Sequence, residues 1–211
     1  MLQGGIIMTV STSPRPNLGS SGSIRFIDNI PFEGLGSAGF DDNDLLIIGD
    51  DLDNILEGGP GHDEIVGGAG NDIIRGGDGN GILRGGDGDD DIDGQAGTER
   101  LFGGDGNDIL RAGGSPDDRD QLNGGAGNDT FGFYGAGQFR ISDFTLGEDR
   151  LFFDSEILGI NSVPELLSLI TNIDDRGDTG FTVEFLDGVA TIDLVGVNVN
   201  SITADMIVFS L

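Results

Sequence analysis

The chain has 211 residues and a formal net charge of -28, with 38 acids against 10 basic residues, all of them arginine. That balance excludes a protein built to grip a phosphate backbone, which needs the opposite sign. With no cysteine there are no disulfides and no thiolate metal sites, and no apolar run reaches the ~18 residues of a membrane-spanning helix.

Residues 1–39 form a lead rich in Gly, Ser and Pro. Its start lacks a basic n-region and a long apolar h-region, so no secretory signal peptide is expected. The Ser-Gly clusters at 19–23 predict a flexible segment, and Ile24–Ile27 a short strand that caps the repeats. Asp41–Glu57 is a degenerate approach to a repeat. Asp44-Leu45-Leu46-Ile47 resembles the end of one unit, Ile48 counts as an extra residue, and Gly49–Glu57 resumes a period of nine with Leu52 in place of a turn glycine.

From Gly58 to Arg111 the chain reads in nines: GGPGHDEIV, GGAGNDIIR, GGDGNGILR, GGDGDDDID, GQAGTERLF, GGDGNDILR. A fixed period of this kind is the mark of a stacked repeat. Glycine at positions 1, 2 and 4 permits positive φ and lets carbonyls converge. Position 6 adds a carboxylate beside them. Oxygen-only ligands, several from the backbone, describe a calcium site. Positions 1–6 are read as a turn and positions 7–9 as a three-residue strand. Alternation along a strand points position 8 inward, giving a core row of Leu56, Ile65, Ile74, Leu83, Ile92, Leu101, Leu110, Leu122 and Phe131. Ile73, Ile82 and Ile109, at position 7, are expected to face outward.

Two nines make one turn of a coil, so alternate repeats stack. Position 6 then sorts into two columns. The first edge carries Asn54, Asp72, Asp90, Asp108 and Asp129; the second carries Asp63, Gly81, Glu99 and Asp120. Asn54 offers a carbonyl without charge, a weak first site. The second edge loses its ligand at Gly81 and lengthens it at Glu99. Gln95 replaces a turn glycine there, and Ala112–Asp120 holds an insertion of three residues. Calcium is therefore expected mainly along the first edge, in about three sites between adjacent turns. Asp89-x-Asp91-x-Asp93-Gly94 mimics an EF-hand loop, but position twelve is Arg100 instead of a bidentate Glu. His62, the only histidine, sits at position 5 of a turn and is read as a bystander, because a lone His makes no zinc site.

After Gly132 the composition changes. Phe139–Phe153 alternates around a Leu146-Gly147 turn. Ser162-Val163-Pro164-Glu165 has capping-box spacing and opens a short helix with Leu166, Ile170 and Ile173 on one face. Asp174–Gly180 is a polar loop whose acids, Asp174, Asp175 and Asp178, are read as solvated. Thr182–Leu186 and Val189–Leu194 flank Asp187-Gly188, a hairpin signal. Ser201–Asp205 leads to a last strand at Met206–Leu211.

The nonapeptides resemble the RTX calcium-binding family over roughly residues 40–132. The phrases ISDFTLGEDRL and LVGVNVNSITADMIVF resemble the C-terminal segment of RTX proteins, including the end of the serralysin proteases. The resemblance implies an all-β chain: a right-handed parallel β-roll over 40–132, with a β-rich cap and secretion-signal region over 133–211 containing one short helix. It implies calcium as the bound ion and a type I secretion apparatus as partner. The ligands it carries over are the position-6 side chains Asp63, Asp72, Asp90, Asp108, Asp120, Asp129 and Asn54. The carbonyls of the GGxG turns join them, at positions matching Gly68, Gly70, Gly86, Gly88, Gly104 and Gly106. The expected function is an extracellular, non-catalytic protein that folds on calcium. The alternative is the C-terminal module of an exported enzyme or toxin. The lead and tail are too short for an ordinary catalytic domain, and no nucleophile–base set is readable.

Overall fold

The computed structural model describes residues 44–211 and, as backbone, residues 25–28. The flexible lead expected over 1–39 lies, apart from 25–28, outside the described residues.

In chain order the strands of the roll are β1 (Arg25–Asp28), β2 (Leu45–Ile48), β3 (Ile55–Pro60), β4 (Glu64–Ala69), β5 (Ile73–Asp78), β6 (Ile82–Asp87), β7 (Asp91–Asp93), β8 (Arg100–Asp105) and β9 (Ile109–Ala112). Then come β10 (Arg119–Ala126), β11 (Thr130–Phe133), β12 (Gly137–Ile141), β13 (Arg150–Phe153), α1 (Ser155–Leu158), α2 (Val163–Leu169), β14 (Ile170–Asp175), β15 (Gly180–Phe185), β16 (Ala190–Val195) and β17 (Ile207–Val208). One sheet has the order β1-β2-β4-β6-β8-β10-β12-β16-β15-β14 and the other β17-β13-β11-β9-β7-β5-β3. From β2 to β13 successive strands thus fall in opposite sheets, and each pairs in parallel with the strand one coil turn away. This is the two-strand coil expected from the period of nine, and the β-roll that the RTX resemblance implies.

The inward row is as expected: Leu56, Ile65, Ile74, Leu83, Ile92, Leu101, Leu110, Leu122 and Phe131 are all at most 1% exposed. Burying such a side chain contributes about 1.5–3 kcal/mol. Toward the C-terminal end the filling becomes aromatic, with ring centroids of Phe133 lying 5.0 Å from Phe139 and 5.5 Å from Phe153.

Several expectations need correction. Of the repeat strands β3 to β9, only β7 has the expected three residues, and five are six residues long. They run through positions 1–3 of the next nine, because the paired glycines still make ladder hydrogen bonds while position 2 holds positive φ, +123° at Gly68 and +129° at Gly86. Ile48 is not an extra residue. Leu46, Ile47 and Ile48 pair with Glu64, Ile65 and Val66, so Ile47 holds the inward position and is fully buried. Ile82 faces outward yet is buried. Glu64 and Arg100 are its register neighbours, and the Arg84–Glu64 ion pair, at 2.6 Å, spans its flank.

The strand expected over Ile24–Ile27 is β1, Arg25–Asp28, antiparallel to β2; Ile24 lies outside the described residues. The two sheets run past Gly132: β12 and β16 extend the first and β13 and β17 the second. The Leu146-Gly147 turn therefore joins strands of different sheets. The helical segment comprises two short helices instead of one. α2 stops at Leu169, since β-branched Ile170 pairs with Phe185 of β15 instead of extending the helix, with Thr171 at a break in the register before Asn172 pairs with Glu184. Ile173 is accordingly a strand residue and exposed. Glu165 accepts from Asn161 N, not from the cap residue Ser162. The hairpin at Asp187-Gly188 joins β15 and β16, with Leu186 and Asp187 at φ 53° and 55°.

Candidate metal centre

Position 6 points into the coil, one residue before the strand in most units, though Asp120 is the second residue of β10. Asn54, Asp63, Asp72, Asp90, Glu99, Asp108, Asp120 and Asp129 are all buried. On the first edge each carboxylate divides its two oxygens. Oδ1 accepts the N–H of the position-6 residue one turn back: Asn54 N to Asp72 at 2.7 Å, Asp72 N to Asp90 at 2.8 Å, Asp90 N to Asp108 at 2.9 Å, and Asp108 N to Asp129 at 3.0 Å. Oδ2 of Asp72, Asp90 and Asp108 is buried and meets no donor among the described residues.

The position-1 glycine explains where that second oxygen points. A Cβ on Gly67 would collide with Asp72 Oδ2 and the Gly85 carbonyl. One on Gly85 would meet Asp90 Oδ2 and Gly103 O, and one on Gly103 would meet Asp108 Oδ2 and Gly124 O. A carboxylate oxygen and a carbonyl oxygen from the next turn thus converge on a space only glycine leaves clear. The carbonyls of Gly68, Gly70, Gly86 and Gly88 each abut the equivalent glycine one turn on, and those of Gly104 and Gly106 abut Gly125 and Gly127. Among the described residues no three acidic or histidine side chains converge on one point. The donor set is one carboxylate plus backbone carbonyls, all oxygen, which suits calcium and not zinc.

Burial drives the electrostatics. Desolvation pushes Asp72, Asp90 and Asp129 up to about 6 and Asp108 up to about 7, against the opposing pull of the N–H bond each accepts. These groups resist carrying charge unless a cation stands beside them.

The column has one member that the nine-residue register, traced by its glycines, misses. Asp149 is buried and accepts Asp129 N at 2.9 Å. Its own Oδ2 accepts Thr145 N at 2.7 Å, so it closes the row. A signal is present in the sequence: Gly147-Glu148-Asp149-Arg150-Leu151 follows positions 4 to 8 of the nine. Asp143 does a related job beside the position-1 glycine of the preceding turn, accepting from Gly124 N and Gly125 N at 3.1 and 2.8 Å.

The second edge differs. Asp63 Oδ1 accepts Leu45 N at 2.9 Å, and its Oδ2 shares the space beside Gly58 with Gly76 O. At Gly81 there is no side chain. Asp120 Oδ1 accepts Glu99 N at 2.9 Å, while Asp120 Oδ2 and both Glu99 carboxylate oxygens are buried without an N–H donor among the described residues, the two carboxyls lying within hydrogen-bond reach of each other. Burial first, then the adjoining Asp120 charge, pushes Glu99 well above the usual carboxylate range. The column ends at Phe139, the register partner of Asp120.

Position 5 makes a second, outer ladder. Asn71 N, Asp89 N, Asn107 N and Asn128 N donate to the position-5 side chain one turn back, at 2.7–3.0 Å. His62 belongs to the equivalent row on the other edge: its N–H donates to Asp44 Oδ1 at 2.7 Å, and its Nδ1 accepts Asn80 N at 3.3 Å. It is a structural link and not a bystander.

Residues 48–83, 76–110 and 117–131 match the RTX calcium-binding nonapeptide repeat, in four copies. No curated protein matches the chain. Three solved structures are similar. The AlgE6R3 subunit of the Azotobacter vinelandii mannuronan C5-epimerase is 28% identical, over 63% of this chain and 80% of that one, with a TM-score of 0.46. The AlgE6R2 subunit of the same enzyme is 21% identical over 77% and 91%, with a TM-score of 0.40. The extracellular lipase LipA of Serratia marcescens is 18% identical over 76% of this chain and 39% of the lipase, with a TM-score of 0.33. The period of nine, the two stacked sheets, the buried oxygen columns and the profile match agree: the repeat block of this chain belongs to the RTX calcium-binding nonapeptide family.

Proposed function

We propose that the chain is an extracellular, non-catalytic calcium-binding protein whose roll orders when calcium binds. In this reading Asp72, Asp90, Asp108 and Asp129 hold the ions with carbonyls of the adjoining turns. Bound calcium supplies the positive charge that offsets the buried carboxylate column and ties one turn to the next. The observation that carries the reading is the row of buried Oδ2 atoms on Asp72, Asp90 and Asp108 that meet no donor among the described residues. A chain of net charge -28 repels itself where calcium is scarce, as in the cytosol. Millimolar calcium outside the cell then couples binding to folding. Passage through a type I secretion apparatus fits a chain that travels unfolded. The non-catalytic part is supported by engaged side chains: His62 and the column acids hold backbone N–H groups.

The test is a calcium titration of the purified protein, followed by circular dichroism and native mass spectrometry. Strand signal that rises in step with bound ions supports the reading. A chain that stays fully ordered after exhaustive chelation overturns it.

A further inference from the structure

The 10 arginines of this acidic chain are not spread evenly over the roll. Arg84, Arg100, Arg119 and Arg140 stand on the outward face of the neighbouring strands β6, β8, β10 and β12. Each adjoins a buried inward residue, Leu83, Leu101, Asp120 or Phe139, so alternation turns it out. No acid occupies an outward position of these four strands; the amides Gln121 and Gln138 and the ring of Phe102 share the face. The opposite sheet differs, for there Arg75 and Arg111 close on Asp91.

Much of this positive charge is left over. Arg84 reaches Glu64 of β4 at 2.6 Å, and Arg140 lies 3.9 Å from Asp193 of β16. Arg100 and Arg119 pair with no acid among the described residues, and Arg100 Nε is buried without an acceptor. The guanidinium groups of Arg84 and Arg100 sit 5.4 and 5.7 Å from the centroid of Phe102, which steadies both. By register Arg100, Gln121 and Arg140 form one row along the coil axis, with the two arginines about 10 Å apart, two strand steps.

We propose that this face binds an acidic polysaccharide, laid along the axis of the roll across β6, β8, β10 and β12. Guanidinium forks match carboxylate and sulfate groups, and the amides between them suit sugar hydroxyls. The ligand is a narrow chain, because the exposed acids Asp87 and Asp105 stand at the ends of β6 and β8. A broad polyanion such as duplex nucleic acid or an anionic membrane meets those acids and is repelled. The inference goes beyond the calcium reading and needs from it only that calcium orders the roll.

The experiment uses the full chain in calcium, its order checked by circular dichroism, and calorimetric titration with short oligosaccharides. Oligogalacturonate presents carboxylates, a sulfated oligosaccharide presents sulfates, and a maltooligosaccharide is the neutral control. At least one acidic sugar should bind and the neutral one should not. Arg100→Gln and Arg140→Gln should each weaken binding about tenfold, the worth of one charged hydrogen bond. Arg75→Gln, which removes the same charge from the other face, should leave it unchanged. The Arg140 side chain is 58% exposed, so its variant keeps the test open if Arg100→Gln misfolds. Equal weakening in Arg75→Gln overturns the proposal. So does binding that survives both face variants, the mark of calcium bridging the sugar to the acidic turns. A calcium-ordered chain that takes neither acidic sugar, or takes single-stranded DNA of equal charge as tightly, also overturns it and leaves the calcium reading standing. A chain that calcium does not order fails both readings together.

Discussion

At the scale of single residues, the position-6 aspartate is asked to do two things with two oxygens. Oδ1 closes a backbone bond to the previous turn, and Oδ2 is held in reserve beside a glycine. Asp108→Asn separates the two roles, since the amide keeps an acceptor for Asp90 N and loses the charge. We expect this variant to bind one calcium fewer by mass, yet to melt higher than the parent in chelator, because a buried carboxyl pushed up to about 7 opposes the metal-free fold. The same shifts fix the pH dependence. Unfolded aspartates titrate near 3.8, and the folded column near 6 to 7. Between those values the folded state binds more protons, so metal-free stability falls as pH rises from about 4 to about 7. Melting curves in chelator across that range should show most order at the acid end, while calcium affinity falls there. A metal-free protein that gains order as pH rises would contradict the column's electrostatics. Most of this column is legible in the sequence, because position 6 repeats. Asp149 is harder to find, since of the three glycines that announce the other units only Gly147 stands before it. His62 reads as a bystander because its partner, Asn80, is a turn away.

Among the elements, the strict alternation of β5 offers a clean contrast. Ile74 is fully buried and its neighbour Ile73 is 37% exposed. Ile74→Ala should cost about 2–5 kcal/mol in calcium-loaded denaturant unfolding, whereas Ile73→Ser should stay within about 0.5 kcal/mol. Equal effects would mean that the register is wrong. The tail matters as much as the repeats, for β12 and β13 carry both sheets onward and cover Phe131 and Phe133. A chain ending at Tyr134 should lose strand signal or aggregate even in excess calcium, because it exposes two open strand edges and an aromatic core. The roll is readable from its period; the cap is less so. Ile170 fits a helical face and a strand equally well, and only the pairing of β14 with β15 decides between them.

For the molecule as a whole, charge and shape are linked. Acids line the two turn edges, and several arginines lie on the sheet faces, where Arg75 and Arg111 pair with Asp91 and Arg84 pairs with Glu64. Scattering should report a radius of gyration that contracts on adding calcium. It should leave the neighbourhood of about 50 Å, expected of an unfolded chain this long, and settle somewhat above the about 17 Å of a compact one.

The carboxylate row on the first edge also has a direction. Every N–H in it, from Asn54 to Asp129, looks forward along the chain for its acceptor, and the final acceptor, Asp149, is pinned by its own Thr145. The position-5 ladder on the same edge points the other way, each N–H reaching back to the turn before. Every turn is thus fastened in both directions, like a brick keyed to the courses above and below, and none can be lifted out without breaking a bond to each neighbour.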